Sequence, residues 1–299
     1  MPRTPNPTGP STPARPPAPG KPTRRRTFDR LLAPGCLADV PAAPGVYQVF
    51  DESGELIYVG KAKHLRRRLA QYRNAGRRKR HAKLRAIVRE ANRIAVTTCP
   101  SHLDACLLET RLIRERRPRL NVAGAFHFLY PLLGTRDHNG DLSLCHTTQP
   151  DAFPDYQLHG AYRSRARTLD AFRALTRLLG FLVRADRRTR EPLPPYSAVR
   201  TFRRLAPAWR PHLDAFLHGD DDTPLLPHLA VALLAKPAAR NRAAEVQSLL
   251  ATLQHFHDEE LAPLAHARTT TGYHHWPVPQ AERDPLFLRA KYLHETRVA

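Results

Sequence analysis

The chain has 299 residues, enough for one large domain or two modest ones. Its 48 lysines and arginines outnumber 27 acidic residues, and the net charge of +21 favours nucleic acid as a polyanionic partner. No apolar run reaches the ~18–20 residues that span a bilayer, and the N-terminus lacks an apolar signal segment. Composition therefore excludes a membrane-spanning class and predicts a cytoplasmic protein, nucleoid-associated if it binds DNA.

The N-terminal segment, residues 1–28, consists largely of Pro, Thr, Ser and basic residues. It offers almost nothing to bury, so we expect a disordered basic tail.

The next segment, residues 29–124, predicts a small α/β domain. Strands at 46–50 and 55–59 flank the turn Asp51-Glu52-Ser53-Gly54 and predict a β-hairpin. Helices follow at 63–72 and 77–92, and a third strand at 93–98.

The last helix of this domain has clear end signals. Ser101 is placed to cap its N-terminus, with Asp104 at the capping-box position. It should end near Arg116, because the residue before Pro118 disfavours helix.

The remainder predicts two further segments. Residues 125–185 form a connector that begins irregularly, with turn-like sequence at 135–140, and then enters a long helix at 165–182. Residues 186–299 predict a basic linker and then a helical C-terminal domain. Its predicted helices are 199–217, 226–234, 238–261 and a short one at 285–295, within an otherwise irregular last stretch. The fold class is thus α+β: a three-stranded antiparallel sheet with helices, followed by a mostly helical region.

The four cysteines, Cys36, Cys99, Cys106 and Cys145, are widely spaced. Without a CxxC pair, they predict free thiols rather than a zinc site or a disulfide framework.

Two short motifs carry the functional signal. Gly45-Val46-Tyr47 and Tyr58-Val59-Gly60 lie on the two strands of the predicted hairpin, so both tyrosines can face one site. Further polar residues follow in a fixed order: Lys61, Arg68, Tyr72, Glu109 and Asn121.

This ordered set resembles the GIY-YIG nuclease family, and within it the N-terminal half of the bacterial excinuclease UvrC. The run Tyr58-Val59-Gly60-Lys61-Ala62-Lys63 matches the UvrC pattern in full. The resemblance implies a metal-dependent endonuclease that hydrolyses a DNA phosphodiester with one Mg²⁺ or Mn²⁺.

The resemblance also implies roles for the polar residues. Glu109 would ligate the metal, Tyr58 would activate the water, and Tyr47 would orient the water or the phosphate. A phenol is a poor base near pH 7, so we expect nearby Lys61 and Arg68 to favour its ionised form.

Three more residues would complete the site. Arg68 would hold the scissile phosphate through its guanidinium, Tyr72 would add a hydrogen bond, and Asn121 would brace the site.

A basic surface accompanies this site. Residues 61–92 contain thirteen lysines and arginines and a single acidic residue. Such a surface suits the DNA backbone, which is bound without reading sequence. The predicted phosphate contacts are Lys63, Arg66, Arg67, Arg73, Arg77, Arg78, Lys79 and Arg80.

A chain of 299 residues is too short to include the C-terminal endonuclease domain of full-length UvrC. The chain therefore resembles the short Cho-type branch of the family. This resemblance implies a 3′-side incision in nucleotide excision repair. The excinuclease B subunit is a candidate partner, although the acidic-aromatic contact signature is missing here. Two alternatives stay open: a stand-alone GIY-YIG nuclease for branched, mobile-element or restriction work, and a non-catalytic DNA-binding protein.

Overall fold

The computed structural model describes residues 37–74, 82–121, 129–183, 185–186, 192–219 and 225–298. The predicted basic tail, Cys36 and the run Arg77-Arg78-Lys79-Arg80 lie outside these residues. Within them, no helix is both long and apolar enough to cross a bilayer.

The predicted hairpin and third strand form an antiparallel sheet of order β2-β1-β3. Its strands are β1 (Gly45–Phe50), β2 (Leu56–Ala62) and β3 (Arg93–Thr98). In the β1–β2 turn, the Asp51 carboxylate accepts hydrogen bonds from the backbone N–H groups of Ser53 and Glu55, both at 3.1 Å. This side-chain turn fixes the register of the hairpin.

Both motif glycines are required by close approach rather than by unusual backbone angles. A Cβ on Gly45 would collide with the Thr97 carbonyl of β3, and one on Gly60 would collide with the Tyr47 phenol. The small sheet therefore closes on β3 and stacks Tyr47 across β2 only when glycine occupies these two positions.

Three helices flank this sheet: α1 (Leu65–Ala70), α2 (Ala82–Glu90) and α3 (His102–Arg116). The α3 capping box is confirmed, because Ser101 and Asp104 each accept a hydrogen bond from the other's backbone N–H at 3.1 Å. The first predicted helix was too long, since Gln71–Asn74 form a 3₁₀ turn that carries Tyr72.

A five-stranded antiparallel sheet of order β6-β4-β5-β8-β7 corrects the prediction that residues 135–140 are irregular. Its strands are β4 (Leu132–His138), β5 (Asp141–Thr147), β6 (Gln157–Gly160), β7 (Ala185–Asp186) and β8 (Ala198–Arg203). Asn139 and Gly140 have φ of 53° and 79°, which suits a tight hairpin between β4 and β5. Leu132 to Thr135 are all buried, so the half-exposed alternation typical of a strand is missing.

The long helix α4 (Arg165–Leu182) has the predicted bounds and covers this sheet. The predicted helix at 199–217 was wrong, because its first part is β8, which pairs with β5, and only α5 (Trp209–His218) is helical. The predicted boundary between residues 185 and 186 thus lies within one shared sheet.

The rest of the chain is helical, as predicted, with different bounds. The helices are α6 (Leu225–Leu234), α7 (Pro237–Arg240), α8 (Ala243–Phe256), a π-helical turn (His257–Leu261), α9 (Ala262–Thr271) and α10 (Arg283–Val298). The final stretch is a 16-residue helix rather than mostly irregular sequence.

The last helix joins the two parts of the molecule. Helix α10 packs on α3 of the small domain, and Arg114 donates a 2.7 Å hydrogen bond to the carbonyl of Ala281 just before α10. The C-terminal region therefore forms a wall beside the helix that carries Glu109.

Candidate active site

Three tyrosines meet on one face of the small sheet. Tyr47 pairs with Gly60 and Tyr58 with Val49, which places the two tyrosines diagonally, with ring centroids 6.0 Å apart. The Tyr72 hydroxyl lies 2.8 Å from the Tyr47 hydroxyl. Tyr47 is fully buried and Tyr72 is 2% exposed, whereas Tyr58 keeps 8% exposure. Tyr58 is thus the phenol of this group with the most access to solvent.

Arg68 lies across this group. Its Nε donates to the Tyr47 hydroxyl at 3.3 Å, and its Nη1 donates to the Gln71 side chain at 2.8 Å. Burial disfavours the charged guanidinium, but the neighbouring tyrosines outweigh it and raise the pKa of Arg68. The arginine is a fixed cation held at the edge of the tyrosine group.

Glu109 and Lys61 form the charged part of the site. The Lys61 ammonium donates to Glu109 Oε2 at 2.7 Å, and the Lys61 backbone N–H donates to Oε1 at 3.1 Å. Burial lowers the pKa of Lys61, but the hydrogen bond and charge of Glu109 outweigh it and raise that pKa overall. Lys61, directly after Tyr58-Val59-Gly60, therefore holds both oxygens of the α3 carboxylate.

The expectation that cations favour the Tyr58 phenolate was wrong for this state of the molecule. Burial, followed by Tyr47 and Glu109, raises the pKa of Tyr58 above its ordinary value of 10.0, and Arg68 opposes this only in part. Lys61 is occupied by Glu109 instead. Tyr58 is therefore a neutral phenol near pH 7, able to donate or accept a hydrogen bond.

Asn121 fastens the outer strand β2. Its side-chain oxygen accepts from the Val59 N–H and its side-chain nitrogen donates to the Val59 carbonyl, both at 2.8 Å. Leu120 N–H adds a 3.0 Å bond to the Ile57 carbonyl. The segment after α3 thus satisfies the free edge of β2 on either side of Tyr58, as an added strand would.

Comparison with known proteins identifies the small domain. Residues 43–122 match the family model described as a UvrC-like GIY-YIG domain. The chain carries a UvrC-like GIY-YIG domain. This is an endonuclease domain, and it contains all seven predicted site residues.

Relatives of this GIY-YIG domain include UvrABC system proteins C. The protein from Porphyromonas gingivalis is 49% identical over 88 residues, which are 29% of this chain and 14% of that protein. The one from Methylococcus capsulatus is 33% identical over 142 residues, 48% of this chain and 23% of that protein. The chain thus covers less than a quarter of these relatives. The second match is longer than the domain itself.

A solved structure is also similar. It is the GIY-YIG N-terminal endonuclease domain of UvrC from Thermotoga maritima bound to its catalytic divalent cation, magnesium. The identity is 31% over 31% of this chain and 94% of that one, with a TM-score of 0.27.

The GIY-YIG site suits a metal with few protein ligands. Among the described residues, no group of three or more His, Cys, Asp or Glu side chains could hold a metal. A carboxylate has about four acceptor positions, and Glu109 uses two of them on Lys61. Glu109 is also only partly buried, with 16% side-chain exposure. These features fit Mg²⁺, which keeps several waters and needs one or two carboxylates.

The predicted DNA contacts differ in their surroundings. Lys63 and Arg67 are exposed beside the site. Arg66 instead donates to the carbonyls of Val40 and Ala38, both at 2.9 Å, and so holds the segment that precedes β1. Arg73 lies on the 3₁₀ turn after α1.

Two neighbours of the GIY-YIG site were not predicted from the sequence. Gln71 orients Arg68, and the Lys83 ammonium lies 5.0 Å from the Tyr58 ring centroid. Lys83 lies in the basic segment 61–92, but its spacing in the sequence does not distinguish it from the other cations of that segment. Its position depends on how α2 folds back over the sheet.

Proposed function

We propose that the chain is a metal-dependent DNA endonuclease that hydrolyses a phosphodiester bond. The observation that carries this proposal is the pairing of a partly exposed carboxylate, Glu109, with Lys61 beside the tyrosine group and Arg68. A site that only bound DNA would have no use for a carboxylate facing the polyanion.

Glu109 is the proposed ligand of one Mg²⁺ or Mn²⁺, because its carboxylate keeps acceptor positions beyond the two that Lys61 occupies. When bound, this ion would supply Lewis-acid stabilisation of the phosphoryl oxygens and the leaving oxygen. Lys61 holds the Glu109 carboxylate in place and contributes positive charge near the reacting phosphate.

Tyr58 is the proposed group for water activation, since it is the least buried of the three phenols. Because its pKa is raised, it begins as a neutral phenol that orients the water through a hydrogen bond. Tyr47 and Tyr72 hydrogen-bond one another, and Tyr47 accepts from Arg68, so this pair positions the guanidinium.

Arg68 is the proposed clamp on the scissile phosphate. A guanidinium offers a planar fork of donors that matches two phosphate oxygens. Asn121 supports the site indirectly by fastening β2 at Val59, between Tyr58 and Gly60.

The basic residues near the site are proposed to contact the DNA backbone. Lys63 and Arg67 are exposed beside the site, and the basic run at 77–80 extends the same stretch of sequence. The 3′-side incision in nucleotide excision repair is the proposed biological reaction, because the curated relatives are UvrABC system proteins C. The excinuclease B subunit would then bring the chain to damaged DNA.

The test is cleavage of an end-labelled duplex with one bulky lesion and Mg²⁺, with and without the damage-loading proteins A and B of the UvrABC system. A discrete cut 3′ to the lesion that requires both of these proteins supports the repair reaction. Cutting that ignores the lesion and the two proteins would contradict the repair role and indicate a stand-alone nuclease. DNA binding without any cutting would contradict the enzymatic proposal itself.

A further inference from the structure

A cleft of roughly 740 Å³ opens beside the catalytic carboxylate. Lys61 forms its border toward Glu109, and Thr110 and Ile113 of α3 form one wall. Helix α10 supplies the opposite wall, with Phe287 and Leu288. The cleft therefore begins at Lys61, at the edge of the candidate active site, and continues between the GIY-YIG domain and the C-terminal helices.

The charges that line the cleft are mostly positive. Four cations border it: Lys61, Arg163, Arg283 and Lys291. Its two carboxylates already have partners within the protein. Asp284 accepts a 2.7 Å hydrogen bond from the Tyr130 hydroxyl, and Glu259 lies 3.7 Å from Arg167.

Arg283 is an unusual residue to find in this wall. Its side chain is only 7% exposed, and its Nε has no hydrogen-bond partner among the described residues. Its nearest carboxylate, Asp284, is 3.5 Å away and is shared with Tyr130. The rings of Tyr130 and Phe287 lie 4.9 and 4.4 Å from the guanidinium. A buried cation with an unmet donor is costly unless an anion completes its surroundings.

Two exposed cations complete the positive lining. Arg163 is exposed two residues before α4 begins. Lys291 is 74% exposed on α10, and its ammonium lies 3.8 Å from the Glu295 carboxylate. Both can turn toward an anion in the cleft without breaking a buried contact.

We propose that this cleft binds a backbone phosphate of the DNA, flanking the phosphate that is cut. This inference rests on the proposed nuclease function. Arg163 and Lys291 contact the phosphate from the rim, and Arg283 provides positive charge from the wall. The C-terminal region is then part of the substrate-binding surface, and DNA lies across both the GIY-YIG domain and α10.

The test uses the full chain and the double variant Arg163→Ala/Lys291→Ala, with DNA binding measured in EDTA at several salt concentrations. One lost phosphate contact makes the slope of log K against log salt less steep by about 0.9 for B-DNA. A series of duplexes, each with one methylphosphonate that removes a backbone charge, then locates the contact. We expect one flanking position to weaken binding by wild type and to have no further effect on the double variant.

The matched control is Arg200→Ala/Lys236→Ala, which removes two exposed cations that lie on β8 and before α7, away from the cleft. It should bind with the wild-type salt slope. If the double variant in the cleft matches wild type at every methylphosphonate position while both cut DNA, the cleft assignment is wrong and the nuclease proposal stands. If wild type neither binds nor cuts DNA, both proposals fail.

A titration with inorganic phosphate separates the two sources of this ligand chemistry. DNA binding that depends on Arg163 and Lys291 supports the proposal. Loss of affinity for inorganic phosphate in the double variant, with DNA binding unchanged, would mean that the cleft serves a free phosphate and would overturn it.

Discussion

The two sheets of the molecule bury polar groups in opposite ways. The small sheet β2-β1-β3 collects Tyr47, Tyr58 and Tyr72 in its core, and its charged pair, Lys61 and Glu109, stays 37% and 16% exposed. The core of the larger region is mainly aliphatic and aromatic, formed by α4 and the C-terminal helices over the five-stranded sheet.

Two buried polar groups of the larger region, in contrast, have their bonding partners within the protein. Glu260 has a fully buried side chain that accepts from the backbone N–H groups of Arg163 and Ser164 and from the Arg167 guanidinium. Buried His159 accepts from the Trp276 indole and lies 3.1 Å from Asp214.

Glu260 and Glu109 are the same residue type and differ in how many hydrogen-bond acceptor positions remain unused. We call a carboxylate closed when groups of the protein surround it, and open when it can still accept a ligand from solvent. A closed carboxylate such as Glu260 caps a helix and fixes the packing of α4. An open one such as Glu109 can take a further ligand from solvent. The following predictions test this comparison.

The largest expected effect is on the rate of DNA cleavage, through the Tyr58 hydroxyl on the small sheet. Tyr58→Phe removes only a hydroxyl, and we expect the single-turnover cleavage rate to fall by about 10²–10⁴-fold, the usual range for a lost general acid or base. Thermal stability should change little. Tyr196→Phe, at a position 69% exposed, is the control. A Tyr58→Phe rate close to wild type would remove this phenol from the mechanism.

The next effect concerns the aliphatic core. Leu178→Ala, at a fully buried position of α4, should lower the free energy of unfolding by about 2–5 kcal/mol through lost burial and a cavity. Urea unfolding measures this. Leu234→Ala, at a position 67% exposed, should have almost no effect. The cleavage rate per folded molecule should be the same in Leu178→Ala as in wild type. A lower rate would mean that cleavage at the small sheet depends on the packing of the larger core.

Asn121 tests the support of β2. Asn121→Ala leaves the N–H and carbonyl of Val59 without partners, and each buried unsatisfied group costs about 1–3 kcal/mol. Both stability and cleavage should decrease, because Tyr58 and Gly60 adjoin Val59. Asn92→Ala, at an exposed position, serves as the control. An Asn121→Ala protein with wild-type stability would show that this support of β2 is dispensable.

The smallest effect is a pH dependence in the larger region. Burial lowers the pKa of His146, which is 4% exposed. The unfolded chain therefore binds a proton below about pH 6.5 that the folded chain excludes, and stability falls as the pH falls through this window. One such group contributes at most about 1.4 kcal/mol per pH unit. Between pH 7 and pH 5, the urea concentration at the unfolding midpoint should depend less on pH in His146→Phe than in wild type. His255→Gln, at an exposed position, is the control and should keep the wild-type dependence. The same pH dependence in His146→Phe and wild type would contradict this prediction.

Much of the small domain could be predicted from its sequence, because its signals are local. The hairpin turn and the capping box of Ser101 and Asp104 each act within a few positions. Strands β4 and β5 of the five-stranded sheet were missed because most of their residues are buried on both faces and show no alternation. Strand β8 in particular depends on pairing with β5, more than fifty residues earlier in the chain.

The contacts within the site could not be predicted from the sequence either. The sequence predicted Lys61 as a cation that acts on Tyr58, whereas its ammonium binds Glu109. Which carboxylate a lysine reaches depends on the packing of α3 against β2, and no spacing rule reports it. The cleft beside α10 depends in the same way on contacts between distant parts of the chain.

The most direct measurement of the central claim is the single-turnover cleavage of a labelled duplex as a function of Mg²⁺ concentration. It compares wild type with Glu109→Gln, which keeps the shape of the side chain and removes its charge. Glu115→Gln, at an exposed position on the same helix, is the control. We predict Mg²⁺-dependent cutting by wild type and Glu115→Gln, and a loss of about 10³-fold or more in Glu109→Gln, since a bound metal contributes several kcal/mol to the transition state. Wild-type cutting and Mg²⁺ dependence in Glu109→Gln would contradict the claim that this carboxylate is the metal ligand of the nuclease.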